Sequence, residues 1–180
     1  MPERTNKDLV DKFLLSAVDT VATVEKIDRT PEALNKALLR EIADEQFVLL
    51  SQPGDIDEEL FAIFVQNEKV ITNPTGEQLK TIKTGITDSF CAVAKTGSVC
   101  VSINEYLTSP ISMLTRKHIV VVDSCTIVPR PLDVFSENYL EGKGLSKSFS
   151  FITGPSATAD MGPLVRGVHG PGQIHIIVLD

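Results

Sequence analysis

The chain has 180 residues, of which 42% are hydrophobic and 23% charged, and it carries a formal net charge of −7 at pH 7. That length suits one compact domain with a real core. The acidic balance argues against a nucleic-acid or anionic-membrane binder, though backbone N–H groups can still build a local anion site. No run approaches the roughly 20 apolar residues of a membrane span. Asp8, Asp11 and Lys12 interrupt the N-terminal apolar stretch, against an export signal. The three cysteines, Cys91, Cys100 and Cys125, have no CxxC pair and fit reduced thiols in a cytoplasmic protein.

Leu9, Val10, Phe13, Leu14, Ala17 and Val18 recur at helical spacing, which predicts a helical segment over about residues 1–20 with Asn6 as its cap. TVATVEKI is rich in β-branched residues and reads as a strand. Thr30 caps a helix that opens on Pro31 and buries Leu34, Ala37, Leu38 and Ile42. QFVLLS is a buried strand stopped by Pro53 and Gly54; DEELFAIFV follows as a short helix, KVIT as a strand and GEQLKTIK as a helix. SVCVSI and HIVVVD are strands, the second apolar enough to be buried on both faces. PLDVFSENYL reads as a helix, and FSFIT and IHIIVL as the closing strands. The alternation predicts a single α/β domain over residues 1–180 with a largely parallel sheet. GPSATADMGPLVRGVHGPGQ, between the last two strands, has little helical periodicity and breaks that rhythm.

In open α/β sheets, ligands lie outside the carboxyl ends of the strands. The loop after FSFIT reads as leaving such an end, directly after a buried strand. Gly154, Ser156 and Thr158 there offer N–H and hydroxyl donors to an anion, and Asp160 can orient a hydroxyl or act as a general base. In TGITDSFCAVAKTGSVCV, Gly85 and Gly97 permit a sharp turn or a close approach, Thr87 reads as the cap of a short helix at Asp88, and Thr96 and Ser98 present hydroxyls. Turns and local caps are the commoner use of all these small residues. His118 and His175 sit in strands and read as structural. His169, in a glycine-flanked loop near Arg166, is the acid/base candidate, since imidazole changes charge near neutral pH. No His/Cys/Asp/Glu spacing suggests a metal site, and neither a Walker A, a GxGxxG nor a GxSxG motif is present.

Taken together, GITDSFCAVAKTGSV, HIVVV, FITGPSATAD and LVRGVHGPGQIHIIVL resemble the LUD-domain family, in particular its LutC/YkgG lactate-utilisation group. The resemblance covers Thr84 to Leu179 well and the N-terminal half only in layout. It implies a three-layer α/β/α domain similar to the NagB/RpiA/CoA-transferase-like fold. It also implies a part in oxidising L-lactate to pyruvate beside separate iron–sulfur proteins, with no cofactor bound by this chain. Two positions depart from the family pattern: Lys95 stands where an acidic residue is expected, and Ala157 where a basic one is expected. The pattern predicts that Lys95 or Arg166 supplies the charge missing at position 157. Three roles stay open: a lactate-utilisation component, a free-standing enzyme or binding protein for a phosphorylated or carboxylated small molecule, and a module contacting only proteins. The small anionic ligand and a homodimer are both compatible with the sequence.

Overall fold

The structure, a computed structural model, describes residues 3–103, 105–136, 148–160 and 162–180. Its centre is a six-stranded, wholly parallel sheet built from β1 (Thr23–Ile27), β2 (Val48–Leu50), β3 (Val70–Ile71), β4 (Thr84–Asp88), β7 (Lys117–Asp123) and β12 (Gln173–Leu179), in the order β1-β12-β7-β4-β2-β3. Strand alternation sends successive residues to opposite faces. Val48, Leu50, Ile86, Ile119, Val121, Ile177 and Leu179 therefore meet helix α2 (Pro31–Glu41) and two short 3₁₀ turns carrying Leu60, Phe61 and Phe64. Val120, Val122, Ile174, Ile176 and Val178 pack on the other face against helix α1 (Glu3–Asp19) and a second sheet. Each fully buried aliphatic or aromatic side chain contributes roughly 1.5–3 kcal/mol. The result is the three-layer α/β/α arrangement expected, with a small sheet sharing one outer layer.

That second sheet has the order β8-β5-β6-β9, from β5 (Cys91–Val93), β6 (Ser98–Ser102), β8 (Ile127–Val128) and β9 (Phe149–Ile152). Helices α3 (Gly76–Thr81) and α4 (Thr108–Leu114) cover Leu49 through Leu79, Leu107 and Ile111. Thr30 caps α2 as expected, its Oγ1 accepting from the Ala33 N–H at 3.2 Å.

Several expectations are corrected. Helix α1 begins at Glu3, so Asn6 lies inside it and is not its cap. Thr87 caps no helix: it sits within β4, where its hydroxyl lies 2.8 Å from His118 Nε2. FSFIT is not a buried strand, because β9 is the outer strand of the small sheet and Phe151 is exposed. DEELFAIFV forms two 3₁₀ turns, and PLDVFSENYL begins as a 3₁₀ turn over Pro131–Phe135 that ends at Ser136; residues 137–140 lie outside the described residues.

Candidate functional site

The glycines singled out in the sequence answer to packing. A Cβ on Gly85 would stand 2.6 Å from Ile111 Cγ2, so α4 can lie on β4 only because the side chain is missing. Gly97 (φ 64°) and Gly154 (φ 66°) both adopt the left-handed conformation that L side chains avoid. Both also press on the C-terminal end of α1. A Cβ on Gly97 would reach 2.4 Å from the Ala17 N, and one on Gly154 would reach 2.3 Å from the Thr20 carbonyl oxygen. Hydroxyls tie the two turns together: Thr96 Oγ1 is 2.7 Å from Ser98 Oγ, which is 2.7 Å from Thr153 Oγ1. Lys95 is exposed on that turn, its N–H donating to the Pro129 carbonyl at 3.1 Å. His118 is fully buried, and burial pushes its imidazole down to about 3, so it stays neutral; it is structural as expected.

The segment from Gly154 to Gly172 folds back on itself. The Ser156 N–H donates to the Pro171 carbonyl at 2.8 Å, and the Gly167 N–H donates to the Ser156 carbonyl at 2.9 Å. Two short strands, β10 (Ala157–Thr158) and β11 (Val165–Arg166), pair antiparallel, with Ala157 directly opposite Arg166. Arg166 thus stands beside position 157, one of the two charge sources the sequence offered. Ser156, Thr158, Arg166 and His169 belong to this one folded segment, while Gly85 and Thr87 lie inside the sheet. Asp160, Arg166 and His169 are exposed, and the Asp160 N–H reaches Thr158 Oγ1 at 3.4 Å. The segment does not leave the carboxyl end of a strand of the parallel sheet. Strand β9 belongs to the small, mostly antiparallel sheet, and Pro171 leads into the start of β12, so the segment meets the amino end of the parallel sheet.

At that amino end, the register puts Thr84, Lys117 and Gln173 in one row across β4, β7 and β12. They line a crevice of about 460 Å³ with Lys83, Arg116, Glu45, Gly167 and Gly172. A second hollow of about 390 Å³ shares Lys117, Gly172 and Gln173 and continues to Glu41, His175, Thr23 and Val21. His175 is held on both sides, with Nδ1 2.8 Å from Thr23 Oγ1 and Nε2 3.0 Å from Glu25 Oε1. Lys117 Nζ donates to the Glu41 carbonyl at 2.8 Å and to its Oε2 at 2.9 Å, while Arg40 pairs with Glu25. Burial works to raise the Glu41 carboxyl, but the Lys117 bond and the neighbouring charges outweigh it and hold Glu41 below its ordinary range. Donor atoms of Glu25, Glu41 and His175 lie within 4.8 Å of one another. Arg40 and Lys117 already neutralise the two carboxylates, so the cluster is an ion-pair network, and a metal ion there would have to displace both cations. Val21 takes φ 69°, a costly conformation for a β-branched residue. It closes α1: its N–H bonds the Val18 carbonyl at 2.8 Å and the Ala22 N–H bonds the Ala17 carbonyl at 3.2 Å, the pairing that usually places glycine at this position.

The crevice residues escaped the sequence reading because they come from five separate segments. The one signal was that Lys83 and Arg116 directly precede strands and Lys117 opens one, where a basic side chain gathers with its neighbours once the strands align.

At the carboxyl end the chain turns from β2 to β3 on one side and from β4 to β7 on the other, so β2 and β4 flank the point where the strand order reverses. A cavity of about 530 Å³ opens there, lined by Leu50, Ser51, Phe61, Val65, Glu58 and Glu59 among others, with no basic residue among its described walls. Beside it, the buried Asp88 carboxylate accepts from the N–H groups of Gly54, Asp55 and Ile56 at 2.9, 2.7 and 3.0 Å.

The layers and the glycine-rich segment define an α/β/α domain of a particular kind. The LUD domain model matches residues 28–179, and the chain belongs to that family. It is similar to lactate utilization protein C of Bacillus subtilis (strain 168), 35% identical over 101 residues that cover 53% of this chain and 42% of the relative. It is also similar to lactate utilization protein C of Shouchella clausii (strain KSM-K16), 35% identical over 107 residues, 58% of this chain and 47% of that one. The chain spans about half the length of these curated relatives. Among solved structures, a DUF162 family protein from Deinococcus radiodurans superposes with a TM-score of 0.71, covering 97% of this chain and 98% of that one at 18% identity, a likeness of fold.

Proposed function

We propose that this chain is a component of a cytoplasmic L-lactate utilisation system and works beside iron–sulfur partner proteins. The observation that carries the reading is the similarity to lactate utilization protein C in two bacteria, each 35% identical over about a hundred residues. Oxidation of lactate to pyruvate releases two electrons and two protons, and the electrons need an acceptor. Cys91 and Cys100 are buried in the small sheet, which favours clusters housed in partners. No described helix is long and apolar enough to cross a membrane. In the producing cell, deletion of the gene should abolish growth on L-lactate as carbon source, and affinity purification of the tagged chain should recover cysteine-rich iron–sulfur proteins. Normal growth on lactate together with no such partner would overturn the reading.

A second reading, a free-standing enzyme or binder of a carboxylated or phosphorylated molecule, draws on the placement of Ser156, Thr158, Arg166 and His169 in one folded segment. In it, Ser156, Thr158 and Arg166 hold the anion, and His169 or Asp160 moves the proton. Turnover of such a substrate by the purified chain without partners would favour this reading over the first.

A further inference from the structure

We infer that the crevice at the amino end of β4, β7 and β12 is a binding site for a small carboxylate, with Arg116 and Lys83 as its anion-holding groups. Three cations, Lys83, Arg116 and Lys117, converge there from two segments of a chain whose net charge is −7. Lys117 is committed to Glu41. Glu45, the one carboxylate in the lining, accepts the Thr84 hydroxyl at 2.6 Å. Lys83 and Arg116 make no ion pair among the described residues and are exposed to the crevice mouth.

Gathering like charges costs Coulomb energy unless an anion offsets it. The register fixes this gathering: Thr84 and Gln173 both align with Lys117, so the residues just before each strand are brought together. The backbone is pinned there as well. The Arg116 and Lys117 N–H groups donate to the Lys83 carbonyl at 2.7 and 3.1 Å, and the Gln173 N–H donates to the Arg116 carbonyl at 3.1 Å. Gly167 and Gly172 form part of the crevice wall and touch each other, so that a Cβ on Gly172 would meet the Gly167 backbone at 3.2 Å. Glycine there keeps the wall thin and lets a small ligand approach the main chain.

A carboxylate suits the site better than a bare halide, because the planar guanidinium fork of Arg116 matches its two oxygens. This assignment stands on the crevice alone and goes beyond the pathway reading.

The test is an NMR titration of the full ¹⁵N-labelled chain with sodium acetate, sodium L-lactate and inorganic phosphate, each at constant ionic strength. Acetate and L-lactate should shift the Gly172 and Gln173 amides and Arg116 Nε saturably. Arg116→Gln should weaken that binding about tenfold, in line with loss of a charge-assisted bond. Lys83→Gln should weaken it less, and Lys36→Gln, on an exposed turn of α2, not at all. Arg116→Lys should restore part of the loss, separating charge from folding. Absent saturable shifts, shifts unchanged in the Arg116→Gln/Lys83→Gln pair, or tighter binding of phosphate than of both carboxylates would each overturn the proposal. Loss of lactate growth on gene deletion with no binding here would remove this site and leave the pathway reading intact.

Discussion

At the carboxyl end of the parallel sheet, Asp88 gives its carboxylate to three N–H groups, and Asp123 caps Cys125 while accepting from Arg29 at 3.0 Å. At the amino end, Lys83 and Arg116 face a crevice with no carboxylate assigned to them. One end spends its polar groups on holding loops; the other keeps charge in surplus. The carboxyl-end cavity exposes Glu58 and Glu59 and repels the anions that the amino end is built to attract. Strand topology alone directs attention to the carboxyl end, so charge decides against topology for any acidic ligand.

Three changes test how separate the two ends are. The largest effect belongs to Asp88→Ala, which strands three N–H donors. It should cost about 3 kcal/mol and lower the melting temperature by roughly 10 °C, read by circular dichroism. Acetate binding at the amino end should not move; if it does, the ends are coupled. Next comes Val21→Gly, at the amino end. Removing a β-branched side chain from φ 69° should stabilise the fold by about 1 kcal/mol, measured by urea unfolding. A loss of stability would mean that Val21 packs more than it strains.

The smallest effect is in pH dependence. Glu41 sits below its ordinary range in the native state, so its contribution is present above the unfolded value and is lost as pH falls through the native one. Wild-type stability should therefore drop more steeply than that of Glu41→Gln between about pH 5 and about pH 3. At neutral pH the same variant frees Lys117 and should bind acetate more tightly. Equal pH slopes would show that the ion-pair network adds nothing measurable.

How much of this was written in the sequence depends on range. Helix α2 was legible because its cap, its Pro31 and its apolar stripe all lie within a dozen residues. HIVVVD was legible because burial on both faces leaves a continuous apolar run. Strand β4 was not, since TGITD carries a glycine that serves α4 and an aspartate that serves a distant loop, both residue types that mark turns. The candidate site divides in the same way. The small residues of GPSATAD and GVHGPG are contiguous and drew notice, and the resemblance that they carried led to the family. His175 was read as structural, and nothing near it in the chain points to Glu25 or Glu41, which reach it from 150 and 134 residues away, or to Lys117, which pairs with Glu41. Gly97 and Gly154 looked like parts of a ligand cradle; their roles as contact points for α1 depend on a helix more than 75 residues upstream.

The strand order has a further consequence for how the molecule is made. β1 touches the rest of the sheet through β12 alone, and β12 is synthesised after every other strand of that sheet. Until it inserts, β1 has no partner strand, Glu25 has no imidazole to meet, and the crevice lacks one wall. Before that, β4 and β7 can bring Lys83, Arg116 and Lys117 together, but the wall made by Gly172 and Gln173 is missing. A ligand that needs both walls of the crevice is therefore held only once β12 has joined β1 to β7.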